Sequence, residues 1–162
     1  MGKILDLNEK KMDIGYFILL MAIAFIFSFA IRMIWVEQFD SVENFKWNNE
    51  IMINTNDGYF YAEGARDILS GSHQENDLSP VETPLSELTA VIAKILPISF
   101  NTIILYMPAF FGSLLVIPIM LIARNIKQDV LGFCAALLGS IAWSYYNRTM
   151  TGYYDTDMLV VV

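Results

Sequence analysis

Residues 15–36 read GYFILLMAIAFIFSFAIRMIWV, and this run decides the fold. About 22 residues rising about 1.5 Å each make a helix of about 33 Å, enough to cross roughly 30 Å of hydrocarbon. Its one charge, Arg32, lies near the far end, where a long side chain is expected to snorkel to water. Trp35 suits the interfacial belt. A signal peptide is the rival reading, but the run is too long for one and no small-x-small cleavage site follows. Two further runs have the same character: residues 102–123, which Pro108 and Pro118 are expected to bend, and residues 130–146. Gly132, Ala136 and Ser140 recur every four residues, so another helix can approach closely there. A fourth run starts at Met158.

Composition agrees. The chain is 56% hydrophobic with a mean hydropathy of +0.48, too apolar for a soluble domain of this size. Net charge is −7 and pI about 4.5, which argues against nucleic acid, since phosphate binding needs clustered Lys and Arg. Cys134 stands alone in an apolar run, so no disulfide is available and a small buried side chain is expected. The chain stops at Val162, about 7.5 Å into the fourth run. It therefore reads as the N-terminal piece of a larger protein.

Residues 37–101 form a polar loop rich in acids, with Lys46, Arg66 and Lys94 as its only Lys or Arg. Tyr59, Ala62, Ala65, Arg66 and Leu69 share a helical face, after the Asp57-Gly58 turn signal. Thr83-Pro84 opens a second amphipathic helix, about 84–96, whose stripe of Leu85, Leu88, Ile92 and Ile95 suits the membrane surface. His73 reads as a solvated loop residue. Lysines 3, 10 and 11, with Arg124 and Lys127 in the turn at 124–129, belong inside by the positive-inside rule. The acidic loop and the loop at 147–157 then share the outside face.

Asp57, Asp155 and Asp157 thus face one compartment. Three carboxylates without thiolates, beside a single His, suit a hard divalent cation bound through oxygen. Two plainer readings stand beside this. Asp157 suits an N-cap for the helix at Met158, and Asp57-Gly58 suits an ordinary turn. Arg148 can pair with the carboxylates, hold a phosphate, or anchor the interface. Asn147-Arg148-Thr149 matches a glycosylation sequon, though its closeness to the membrane argues against modification.

Three stretches go beyond spacing: Thr55-Asn56-Asp57-Gly58-Tyr59, Ala62-Glu63-Gly64-Ala65-Arg66-Asp67, and Ser144 through Leu159 with Gly152-Tyr153-Tyr154-Asp155-Thr156-Asp157 at its centre. Together they resemble the catalytic subunit family of asparagine-linked oligosaccharyltransferases, in its single-subunit bacterial form. The resemblance implies an all-α membrane protein, a multispanning bundle of the GT-C glycosyltransferase type, with amphipathic helices in the first external loop. It implies transfer of a glycan en bloc from a polyprenyl-pyrophosphate lipid to Asn of Asn-x-Ser/Thr sequons. By motif, Asp57 would bind the metal and touch the acceptor amide, Asp155 would be a second ligand, and Asp157 would support the metal site. Arg148 would face the lipid pyrophosphate, and the metal would be Mg²⁺ or Mn²⁺. The implied location is the bacterial inner (plasma) membrane, multi-pass, with the active site facing the periplasm. A further acidic ligand, a soluble domain and its Trp-Trp-Asp motif are expected beyond Val162. The alternatives are a protein O-mannosyltransferase-like enzyme, which leaves the second acidic cluster unexplained, and a transporter or channel segment, which calls for ionisable groups within the spans.

Overall fold

The computed structural model describes residues 11–160. Lys3 and Lys10 of the charge bias, and Val161 and Val162 of the fourth run, lie outside them.

Helix α1 (Ile14–Arg32) starts where the Asp13 carboxylate accepts the Gly15 N–H at 2.8 Å. A break at Met33 passes it to α2 (Ile34–Phe39). Together they make 26 residues long and apolar enough to cross a membrane. Phe17, Ala24, Ser28 and Arg32 face inward. Ile18, Leu19, Ile23, Ile26 and Phe27 face out, a surface suited to lipid. Trp35 does not join an interfacial belt. It is buried, packed on Phe39 and on Phe45, which lies just before the next strand pair.

That pair corrects the all-helical expectation. Strands β1 (Lys46–Trp47) and β2 (Glu50–Ile51) form a short antiparallel hairpin. Asn48 and Asn49 both take positive φ, 51° and 65°, the geometry a two-residue hairpin turn requires. Helix α3 (Asn56–Ser70) and helix α4 (Pro84–Ile95) follow and pack on each other. Gly64 permits the contact: a Cβ there would stand 2.6 Å from the Pro80 carbonyl oxygen. The stripe of α4 rests largely on protein, with Leu85 fully buried and Leu88 and Ile92 against the core; Ile95 stays exposed.

The second long apolar stretch, Phe100–Asn125, is helix α5 (Phe100–Ser113) and helix α6 (Val116–Asn125). The bend falls at Leu114–Leu115. Pro118 has no N–H for the Leu114 carbonyl, and three-residue bonds from Leu114 to Phe111 and from Ile117 to Leu114, both 3.0 Å, replace the regular ladder. Pro108 stays inside α5.

The expected span at 130–146 is broken. Helix α7 (Asp129–Ser140) has 12 residues, about 18 Å. It ends in tightened bonds from Ile141 to Leu138 and from Ala142 to Gly139. Ala142 leaves the helical region, with φ −56° and ψ 120°, and the short helix α8 (Trp143–Asn147) follows. The small-residue stripe is a packing face: a Cβ on Gly132 would meet Ala123 Cβ at 2.4 Å. Cys134, about 200° round the helix from Gly132, is exposed rather than buried. Helix α9 (Asp157–Val160) closes the described chain.

The two ends of the bundle are defined by hydrogen bonds. At one, the Asp129 carboxylate accepts the Met12 N–H at 2.8 Å and pairs with Arg124 at 3.0 Å, while Arg124 lies 4.3 Å over Phe17. The start of α1 and the α6–α7 turn therefore share an end, as the charge bias predicts. The acidic loops meet at the opposite end.

Candidate functional site

At that end the two acidic loops are stitched together. The Asn54 N–H donates to the Gly152 carbonyl at 2.9 Å, and the Thr55 hydroxyl donates to the Tyr154 carbonyl at 3.0 Å. Thr55 also caps α3, accepting the Gly58 N–H at 3.2 Å. Gly58 lets the helix start touch the second loop, since a Cβ there would lie 2.6 Å from the Tyr154 carbonyl oxygen. Gly152 holds φ at +86°, a left-handed turn that favours glycine, and the Trp35 ring packs across it. Its N–H donates to the Leu105 carbonyl at 2.8 Å.

Tyr154 pins this junction from beneath. It is wholly buried among Ile53, Ala62, Leu85, Ile103 and Met107. Its hydroxyl lies 2.5 Å from the Thr89 hydroxyl. The Thr89 hydroxyl also lies 2.8 Å from the Leu85 carbonyl, and in the Tyr154–Thr89 pair either hydroxyl can donate. Burial pushes the Tyr154 phenol up to about 12, with the Thr89 contact opposing.

On this frame Asp57 sits exposed in the first turn of α3. Asp155 turns Oδ1 to the Thr156 N–H at 2.6 Å and to its hydroxyl at 3.2 Å. Asp157 does not cap through its side chain: its Oδ2 accepts from Arg148 Nη1 at 2.6 Å. That bond, then the nearby Tyr153 phenol and the charges of Asp157 and Asp155, raises the Arg148 guanidinium pKa further. The Tyr153 phenol feels the charge of all four groups. Burial raises its phenol most, the carboxylates of Asp155, Asp157 and Asp57 add to this, and Arg148 opposes. Arg148 and Asp157 are in direct contact, whereas the ligand oxygens of Asp57, Asp155 and Asp157 do not all lie within 4.8 Å of one another. An all-oxygen donor set with surplus negative charge fits a hard divalent cation.

His73 has a separate setting. Its Nδ1 lies 2.9 Å from Asp67 Oδ2, which also accepts the Ser79 hydroxyl at 2.6 Å. Those bonds, Ser79 first, lower the Asp67 pKa. With the Ser79 N–H donating to Asp77 Oδ1 at 2.9 Å, they hold together Asp67, His73 and Asp77, whose ligand-type atoms lie within 4.8 Å of one another. A cleft of about 320 Å³ beside Trp47, Tyr59, Arg66 and Asn101 is also separate, lined by none of the three aspartates.

Sequence reasoning gave Tyr153, Asn54 and Tyr154 no role, and it misread Arg32. Arg32 is fully buried and does not snorkel. Its Nη1 donates to the Ser28 carbonyl and hydroxyl at 2.9 and 2.8 Å, and its Nε and Nη2 donate to the Thr149 hydroxyl at 3.1 and 3.0 Å. The signal for this was Thr149 and Thr151, polar residues that α1 lacks partners for in lipid.

The profile of the family described as Oligosaccharyl transferase STT3, N-terminal, matches residues 15–162. The chain is 52% identical over 158 residues to a protein of Campylobacter jejuni subsp. jejuni serotype O:2 named undecaprenyl-diphosphooligosaccharide--protein glycotransferase. A protein of the same name from Campylobacter jejuni strain RM1221 is also 52% identical over 158 residues. In both cases the match covers 96% of this chain and 22% of the relative, so the chain spans about a fifth of their length. A profile match over nearly the whole chain, on the residues that form both acidic loops, means that the chain belongs to the oligosaccharyl transferase STT3 family.

Proposed function

We propose that this chain forms part of the catalytic centre of an oligosaccharyltransferase, which moves a glycan en bloc from a polyprenyl-pyrophosphate lipid to Asn of an Asn-x-Ser/Thr sequon. The observation that carries the reading is the stitching of the two acidic loops through Asn54–Gly152 and Thr55–Tyr154. It joins the loop that carries Asp57 to the loop that carries Arg148, Asp155 and Asp157. The relatives' name, with its diphospho-oligosaccharide and protein, fits a lipid-linked donor and a protein acceptor. The protein is read as a multi-pass GT-C bundle of a bacterial inner membrane, its site on the periplasmic side.

Asp57 and Asp155 would hold Mg²⁺ or Mn²⁺, with Asp157 supporting the metal site. The cation, when bound, supplies positive charge opposite the pyrophosphate leaving group. Asp57 also accepts an N–H of the acceptor amide, which orients a poor nucleophile and loosens its conjugation. Arg148 shares its fork between Asp157 and the lipid pyrophosphate. Its exposure leaves room for both.

The test is glycopeptide formation by the complete protein in membranes, with a sequon peptide, lipid-linked oligosaccharide and Mn²⁺. Product on the Asn is expected. Glycosylation of Ser or Thr in a peptide lacking Asn, with the sequon ignored, would overturn the reading.

A further inference from the structure

We infer that Arg32 is a positioning residue for the donor side of this site: from inside the bundle it fixes the backbone that carries Arg148. The inference rests on the oligosaccharyltransferase reading. Arg32 grips the second acidic loop twice. Its guanidinium binds the Thr149 hydroxyl through both Nε and Nη2, and its carbonyl accepts the Thr151 N–H at 3.3 Å and the Thr151 hydroxyl at 2.9 Å. Residues 149 and 151 are thus tied to one residue of α1, next to Arg148.

The grip is rigid. Nη1 is held by Ser28, and the guanidinium lies 5.2 Å over the Tyr145 ring. Thr149 passes its own proton to the Tyr145 carbonyl at 2.7 Å, and the Tyr145 hydroxyl donates to the Gly112 carbonyl at 2.6 Å. A Cβ on Gly112 would meet Thr149 Cβ at 2.5 Å and Arg32 Nε at 2.9 Å, so α5 closes the space into which the side chain would swing. Among the described residues no carboxylate neutralises Arg32. Burying an unpaired guanidinium at membrane depth is costly, and an apolar side chain would avoid that cost. What the cation adds is a planar fork that spans Ser28 and Thr149 at once. A lysine ammonium, a point charge on a flexible stem, cannot reproduce it.

The test is steady-state kinetics on the complete protein, with Arg32→Lys, Thr149→Val and the double variant, varying lipid-linked oligosaccharide and sequon peptide separately. Because the segment carries Arg148, KM for the lipid donor should rise about tenfold in each single variant while KM for the peptide stays within about twofold. The double variant should be no worse than either single one, since both break one contact. A fall in kcat alone, with both KM values unchanged, would mean only less folded enzyme and would overturn the inference. Additive effects would overturn it too. Should Arg32→Lys not accumulate, Thr149→Val decides by the same split. Wild-type protein that fails to glycosylate the sequon would sink the functional reading itself, and this inference with it.

Discussion

Gly58→Ala tests the contact between the two acidic loops with a single methyl group. The new Cβ would stand 2.5 Å from Thr55 Oγ1, 2.6 Å from the Tyr154 carbonyl oxygen and 2.8 Å from Ile53 Cδ1. Thr55 and Ile53 can turn their ends away, but Tyr154 presents backbone. Restoring an ordinary contact of about 3.4 Å to that oxygen means moving the start of α3 away by about 0.8 Å. Overpacking of this kind costs about 1–3 kcal/mol, and the better helix propensity of alanine returns about 1 kcal/mol. The net loss of stability should be about 1 kcal/mol, a small change in Tm. Turnover should suffer far more, because Asp57 rides on that first turn, and a misplacement of about 1 Å can cost on the order of 10²-fold. Gly71→Ala is the control. Gly71, unlike Gly58, has a left-handed backbone, φ +68°, and nothing lies within 4 Å of a Cβ there. Strain of about 1–2 kcal/mol should lower its stability at least as much and leave turnover intact. Glycopeptide formation and thermal unfolding are measured on the same preparations. If Gly58→Ala turns over like wild type, or both variants lose activity in proportion to stability, the loop contact does not set the site.

Tyr154→Phe removes a buried hydrogen-bonding hydroxyl and should cost about 1 kcal/mol. The phenol is raised from 10.0 to about 12, so its contribution is complete below about pH 10 and is lost as pH climbs to about 12; Tyr154→Phe should lack this alkaline limb in a thermal-unfolding series. Arg148→Gln breaks a largely exposed pair, so Tm should hardly move, while donor KM rises; a large Tm drop with unchanged kinetics would make Arg148 structural. On the proposed role of Asp57 toward the acceptor amide, Asp57→Asn would present an NH₂ in place of an acceptor, so added Mn²⁺ should not restore turnover, whereas rescue by metal would confine Asp57 to ligation.

Much of the fold was legible because helical periodicity and apolar runs report faces and lengths. The reading of 84–96 against an observed Pro84–Ile95 rests on Thr83-Pro84 at one end and Pro97 after the other. The stripe of Gly132, Ala136 and Ser140 was legible for the same reason: small residues on one face have meaning only against a close neighbour. The break at Ile141–Ala142 was not. Its residues are as apolar as the helix before them, so no change in hydropathy marks it. What ends α7 is the destination of α8, whose Tyr145 reaches the Gly112 carbonyl and whose Tyr146 reaches that of Ile31.

The same distinction explains Arg32. Sequence offered a charge near the end of an apolar helix, and snorkelling is the cheap solution when water is the only partner. The bundle supplies another solution. The break at Met33 interrupts the regular ladder at the end of α1, and near lipid carbonyls at such a break are best satisfied by donors in protein. Thr151 satisfies Arg32 and Tyr146 satisfies Ile31, from residues more than a hundred positions away. Once those carbonyls claim the segment at 146–151, the loop that follows can only emerge beside α1. From there Gly152 and Tyr154 meet Asn54 and Thr55. The docking of the second acidic loop on the first is held by hydrogen bonds of backbone and hydroxyl groups, not by the aspartates, whose charges repel one another. Hydroxyl-bearing residues flanking an acidic cluster at a membrane boundary carry that information, because each must spend its hydrogen bond on something the bilayer cannot provide.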